Sequence, residues 1–313
     1  MNMGRWLAGW TGILFLTGCS TVERVGMAFL YKDAPFPKGR VARNIPYAST
    51  QNPKQQLDLF CPGQTNWPVM IFVHGGGWTS GDKGLRVGGK DVYGNIGRFY
   101  AARGIGVAVI SYRLQPEADW REQVDDVAAA VAWVRNKSAA YGADTNRIFL
   151  AGHSAGAHLI SSVALDPRPL AKYFLSPDSI RGVISVSGAG LDLTDAETYR
   201  LGESRSYYEE RFCRGRCPPG WDLEASPIHH VSSNAPPFLI LHAQGEKKSL
   251  QRQSRLLQQE LVNHGATAKL VDVPGQSHRR MVLVLTRADK PAAPAILDFI
   301  GRNGAVDVAK QLP

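Results

Sequence analysis

The stretch Arg147-Ile148-Phe149-Leu150-Ala151-Gly152-His153-Ser154-Ala155-Gly156-Ala157-His158 passes from a short apolar run, through a Gly-x-Ser-x-Gly pentapeptide, into an apolar pattern that continues to Leu165. Arg147 to Leu150 has the length of a buried strand, and Ala155 to Leu165 reads as a helix. A serine at such a strand-to-helix turn is held in a strained backbone, so the residues two positions away on each side must be small. Gly152 and Gly156 meet that need. The helix N-terminus adds free N–H groups and positive potential for a developing negative charge. The pentapeptide alone carries little weight, and its strand–turn–helix setting makes Ser154 the candidate nucleophile.

A second signal stands upstream. His74-Gly75-Gly76-Gly77-Trp78 follows the apolar run Val69 to Val73. Bare backbone there can approach a substrate oxygen, and the N–H groups of Gly76, Gly77 and Ala155 are the expected oxyanion donors. Donors of this kind are worth about 3–4 kcal/mol each. A phosphate-binding loop is the competing reading of three glycines, but no Gly-Lys-Ser/Thr follows and an aromatic residue comes next. Further apolar runs occur at Val107–Ile110, Val183–Val186, Phe238–Leu241 and Ala268–Val273. Helical spacing of apolar residues covers Val124 to Val134 and Ser249 to Val262. This alternation predicts an α/β fold with a mostly parallel central sheet and helices on both faces. Residues 191–226, rich in Arg, Glu, Tyr, Gly and Pro, interrupt the alternation and are expected to form a small lid.

With these motifs, the chain resembles the α/β-hydrolase superfamily, and within it the carboxylesterases with an HGGG loop. Those include bacterial acetyl- and feruloyl-type esterases and isoprenylcysteine methylesterases. Phe72 to Lys83, Ser111-Tyr112-Arg113-Leu114, Asp126 to Ala130, Gly142-Ala143-Asp144 and Ala151 to His158 carry the likeness, which spans about residues 50–302. The resemblance implies a catalytic histidine in the loop after the last strand, where His278 stands. It also implies an aspartate after the strand Phe238 to Leu241. This chain has Glu246 there, a departure that requires the loop to absorb one extra methylene. Asp192, after the preceding strand, is the rival acid. The order Ser154, Glu246, His278 agrees with the fold. His153 and His158 are expected to be packing or gate residues, and His229, His230 and His264 surface or loop positions. His242 ends a strand too near the acid position to be the base.

The chemistry implied is acyl transfer without a metal or organic cofactor, on short-chain or aromatic-acyl esters. An arylformamidase-type amidase with an HGGxW loop and a non-catalytic hydrolase-fold lipoprotein are the alternatives. Trp78, Tyr207, Tyr208, Phe212 and Trp221 are the candidate pocket aromatics. Asp82, Asp125, Asp126 and Asp144 are expected in loop hydrogen bonds and on a solvated helix face.

The N-terminus speaks to location. After Arg5, Leu7 to Leu16 is uncharged and too short to span a bilayer, as in a signal peptide. Leu16-Thr17-Gly18-Cys19 resembles a bacterial lipobox, which implies acylation of Cys19 and stable membrane anchoring at the cell envelope. Ser20 lacks an acidic inner-membrane retention signal, which leans towards the outer membrane. The expected layout is a signal peptide at 1–18, anchor and spacer at 19–49, a catalytic domain at 50–305 and a tail at 306–313. In an oxidising compartment, Cys213 and Cys217 are spaced for a local disulfide with Cys61 left over, while pairing of Cys61 with either stays open. Two cysteines without nearby histidines are poor zinc ligands. The 313 residues are 44% hydrophobic and carry a net charge of +9. The basic excess is scattered, which disfavours nucleic acid as a partner and leaves a small-molecule ester as the expected one.

Overall fold

A computed structural model describes residues 31–37 and 40–304. The signal peptide, Cys19 and Ser20, and the tail from 306, lie outside the described residues. Among the described residues there are ten strands: β1 (Val41–Pro46), β2 (Gln56–Phe60), β3 (Trp67–Val73), β4 (Arg86–Val87), β5 (Lys90–Asp91), β6 (Gly106–Ile110), β7 (Ala143–His153), β8 (Ile180–Val186), β9 (Phe238–Ala243) and β10 (Ala268–Val273). Eight of them form one sheet in the order β1-β2-β6-β3-β7-β8-β9-β10, and β4 pairs with β5 as a separate ribbon. From β6 to β10 every pairing is parallel, while β1 and β2 add an antiparallel edge.

The α-helices of the described residues are α1 (Val92–Ala101), α2 (Trp120–Lys137), α3 (Ala155–Leu165), α4 (Pro167–Ala171), α5 (Ala196–Leu201), α6 (Arg205–Cys213), α7 (Trp221–Ala225), α8 (Lys248–Asn263), α9 (Met281–Val284) and α10 (Ala292–Gly304). Alternate residues of β3 show how the sheet is covered. Val69, Ile71 and Val73 pack with Val124, Val127 and Val131 of α2, Leu159 of α3 and Leu257 of α8. Met70 and Phe72 face the other way, towards Ile96 and Phe99 of α1 and Ile296 and Ile300 of α10. Strands buried on both faces read as unbroken apolar runs, which is why β3, β6, β8 and β9 were visible in the sequence.

Three features depart from the sequence reading. Residues 41–46, assigned to the spacer, are the edge strand β1, and Ala34 ahead of it is already buried. An edge strand with one solvated face carries a weaker apolar signal. Helices α1 and α10 were also missed, because α1 contains Gly94 and Gly97 and α10 begins around Pro294, residues that lower helical propensity. Asp126, expected on a solvated helix face, is instead buried. It accepts from Arg113 through Nε and Nη2 and from Gln55 Nε2 at 2.6 Å, so the carboxylate is paired where burial would otherwise be costly. The stretch that broke the alternation holds the three short helices α5, α6 and α7, inserted between β8 and β9. A Cys213–Cys217 disulfide closes the end of α6, and Cys61 is free. Burial pushes the Cys61 thiol up to about 11.

Candidate active site

The C-terminal ends of β3, β7, β9 and β10 bring the predicted residues together. Strand β7 ends at His153, and Ser154 follows with φ 57° and ψ −118° before α3 begins. That left-handed backbone is unusual for a serine. It is held by Ser154 N–H donating to Val186 O at 2.9 Å and by the Ala157 and His158 N–H groups donating to Ser154 O. The turn is tight enough that a Cβ on Gly156 would lie 2.2 Å from Val73 O. Only glycine lets α3 start this close to β3.

The glycine loop lies against this turn: a Cβ on Gly75 would sit 3.1 Å from Ser154 Cβ. Gly76 has φ 131°, and a Cβ there would meet Ser80 O at 1.9 Å. The loop is closed on itself by Ser80 N–H and Ser80 Oγ, both donating to Gly76 O. Its own N–H groups at Gly76 and Gly77, and that of Ala155, donate to no described residue. Three uncommitted donors beside a half-buried serine are the arrangement an oxyanion needs.

The loops after β9 and β10 supply a carboxylate and an imidazole. Glu246 Oε2 is 3.2 Å from His278 Nδ1. The Glu246 side chain is wholly buried and its other oxygen, Oε1, has no partner among the described residues. The two loops are tied together by Gly245 N–H to Gln276 O and Gln244 N–H to Val273 O. Gln251, in the first turn of α8, donates to the carbonyls of Gln244 at 2.9 Å and Glu246 at 3.3 Å. This closed turn holds Glu246 within reach of His278. The rival Asp192 accepts instead from Thr194 N–H and Oγ1 and lies 3.6 Å from His229. His242 is buried, 4.0 Å from Asp272.

The Ser154 hydroxyl makes no hydrogen bond to His278 in this arrangement; nucleophile–base bonds commonly tighten only with substrate in place. What joins the two is His153, whose Nε2 donates to His278 O at 2.9 Å while the rings lie 4.7 Å apart. Sequence reading took His153 for a packing or gate residue. Its position inside the pentapeptide was visible, but a contact to a residue 125 positions away was not.

His74 and His158 are wholly buried, and His153 is buried nearly as fully. Burial depresses their imidazoles from the ordinary 6.5 to about 4, about 3 and about 4, with the charge of His278 adding to the fall at His153. His158 is fixed as the Nε2–H form, donating to Ala225 O at 2.8 Å and accepting from Trp78 Nε1 at 3.3 Å. All three are neutral in the folded chain at a pH where the unfolded chain protonates them. Stability is therefore expected to fall as pH drops from about 6.5 towards about 4, with up to about three protons taken up on unfolding. Urea midpoints at pH 7 and pH 4.5 check this on an order-of-magnitude basis, and equal midpoints would contradict it.

The aromatic candidates divide. Trp78, Tyr208, Phe212 and Trp221 are buried, with Trp78 and Phe212 rings 4.7 Å apart and Phe212 and Trp221 5.7 Å apart. They form the stack that seats the lid on the glycine loop, rather than an open wall. Tyr207 is half-buried, and its hydroxyl would lie 3.5 Å from a Cβ on Gly77. Arg211, which no motif singled out, has Nε at the same distance from that position.

Comparison with known proteins agrees with the fold. The BD-FAE family profile matches residues 57–261. The esterase LipQ of Mycobacterium tuberculosis is 35% identical over 243 residues, covering 75% of this chain and 55% of the relative. The isoprenylcysteine alpha-carbonyl methylesterase ICME of Arabidopsis thaliana is 29% identical over 296 residues, covering 89% of this chain and 65% of its own length. The chain thus spans 55–65% of these curated relatives. Among solved structures, esterase B from Lactobacillus rhamnosis superposes with a TM-score of 0.71 at 22% identity, over 92% of this chain and 91% of that one. A truncated carbohydrate esterase from gut microbiota gives 0.68 at 22% identity, over 88% and 99%. These likenesses identify the fold as α/β-hydrolase.

Proposed function

This chain belongs to the BD-FAE family, and we propose from that premise that it is a serine carboxylesterase acting on short-chain or aromatic-acyl esters at the cell envelope. One observation carries the proposal: a strained, half-buried Ser154 stands beside three uncommitted N–H groups, within a fold that also pairs His278 with a buried carboxylate. His278 Nε2 takes the Ser154 proton as Oγ attacks the ester carbonyl. The oxyanion that forms accepts from Gly76, Gly77 and Ala155 N–H, and Glu246 holds Nδ1–H and offsets the imidazolium charge. The alcohol leaves with the proton from His278. Water then attacks the acyl-enzyme by the same base, releasing the acid and free Ser154. The segment Leu16 to Cys19 supports anchoring through an acylated Cys19.

The test is a substrate panel on membrane and soluble fractions of cells expressing the full chain. It comprises p-nitrophenyl acetate, butyrate and octanoate, a feruloyl ester and N-formylaniline. Hydrolysis of the shorter or feruloyl esters in the membrane fraction is the expected result. Preference for the formamide would replace the esterase reading with an amidase, and activity confined to the soluble fraction would remove the anchor.

A further inference from the structure

Residue 153 is the unspecified position before the serine of the pentapeptide, and the fold gives it three neighbours at once. Its backbone is joined to Ser154 in the strained turn that ends β7. Its ring lies against the glycine loop, since a Cβ on Gly75 would sit 3.0 Å from His153 Nδ1 and 3.1 Å from Ser154 Cβ. Its other nitrogen reaches the base loop, with Nε2 2.9 Å from His278 O and the two imidazoles 4.7 Å apart. Burial and the neighbouring His278 keep the ring neutral. A carbonyl oxygen can only accept, so the single ring proton is on Nε2.

The base loop needs such a hold. His278 opens a three-residue 3₁₀ turn, and the loop before it exposes Pro274 and Gly275, where an added Cβ at Gly275 would meet nothing within 4 Å. The bonds from the acid turn reach this loop at Val273 O and Gln276 O, both short of His278. His278 itself is held at two points, its Nδ1 by Glu246 and its carbonyl by His153. A bond at Nδ1 alone lets the ring swing about that point. Fixing the carbonyl as well fixes where Cα stands, and the two together direct Nε2. We infer that His153 is a positioning residue for the base, which holds the main chain of His278 against the serine turn and the glycine loop and so sets the reach from His278 Nε2 to Ser154 Oγ. This inference rests on the esterase reading above. Because the holding side chain is the chain neighbour of Ser154, any shift of the serine turn carries the base with it.

The test separates the donated hydrogen bond from the bulk of the ring. In the full chain, His153→Phe keeps a ring and loses the donor, while His153→Gln keeps an N–H at the reach of Nε2 and loses the ring. On p-nitrophenyl butyrate, His153→Phe is expected to lower kcat by about 10- to 100-fold with KM changed by less than about 2-fold. A base displaced by about 1 Å slows proton transfer and leaves ester binding alone. His153→Gln is expected to recover most of that loss. Wild-type kcat in His153→Phe would overturn the inference, because the donor is then dispensable. Equal losses in both variants would overturn it too, because the effect then belongs to ring packing. Urea melts accompany each variant, and His153→Leu replaces His153→Phe if the latter does not melt cooperatively. A cycle with His278→Ala guards against a general loosening. That variant keeps the carbonyl and lacks the imidazole, so adding His153→Phe should cost less than about 2-fold of the residual hydrolysis. The full loss repeated there would mean that His153 does not act through the base. Fluorophosphonate labelling of Ser154 separates the two layers. If wild type neither labels nor hydrolyses the ester, the esterase reading fails and this one falls with it. If it does both and kcat is insensitive to the donor at 153, this inference alone fails.

Discussion

Ser154→Ala is expected to lower kcat on p-nitrophenyl butyrate by about 10⁶-fold, with little change in fold stability. The size follows from the role. Without Oγ no acyl-enzyme forms, and what remains is the positioning of ester and water by the glycine loop, worth about 10³–10⁴ over the uncatalysed reaction. The substitution also relieves a hydroxyl without removing a bond, since Ser154 Oγ has no partner among the described residues and the turn is held by backbone groups. The decisive measurement is steady-state hydrolysis together with fluorophosphonate labelling and a urea melt. A variant that melts with wild type, hydrolyses with wild-type kcat and still labels would remove Ser154 as nucleophile. Labelling lost together with hydrolysis is the expected pattern.

Glu246→Gln is expected to cost about 10⁴-fold in kcat, the scale seen when a triad carboxylate becomes an amide with its geometry intact. Glu246 Oε2 accepts from His278 Nδ1–H and Oε1 has no described partner, so the amide meets no second donor that would fix its orientation. An amide that turns its NH₂ towards Nδ1 forces the proton onto Nε2, the nitrogen that must accept from serine. Glu246→Asp asks how well the loop fits the longer side chain. Gly245 N–H to Gln276 O and the Gln251 bonds hold the turn at a glutamate's reach, so shortening by one methylene should also lose activity, by about 10-fold or more. Asp192→Asn is the control, because Asp192 engages Thr194 and His229 and not His278. If Asp192→Asn produced the large loss and Glu246→Gln the small one, the acid would have to be reassigned.

Both expectations draw on residues that sequence reading had named, though the two became legible in different ways. Ser154 announces itself locally, since the glycines at 152 and 156, the apolar run before and the helical pattern after all lie within one short segment. Glu246 rests on its place after β9, and a place after β8 offered Asp192 on similar grounds. The choice depends on which carboxylate the parallel register β8-β9-β10 delivers beside His278, and register is a property of the assembled sheet. The aromatic residues teach a related lesson. Trp78, Tyr208 and Trp221 were expected around a pocket because they are large and lie in the right segments, yet they are buried in the lid stack. Aromatic content marks where area will be buried and does not say on which side of a loop the substrate lies.

Local chemistry in the sequence determined the alternating elements, the doubly covered parallel sheet, the serine turn and the glycine loop. Apolar periodicity and small residues at fixed offsets act over a few positions, so they survive in the bare order of residues. Tertiary structure alone decided that β1 begins the sheet at Val41, that His153 holds the His278 carbonyl, and that Arg211 stands over Gly77. It also decided that the carboxylate paired with His278, 32 residues away in the chain, is Glu246. Each of these is a meeting of groups far apart in sequence, set by strand register, helix seating and burial together, and no window of the chain holds all three.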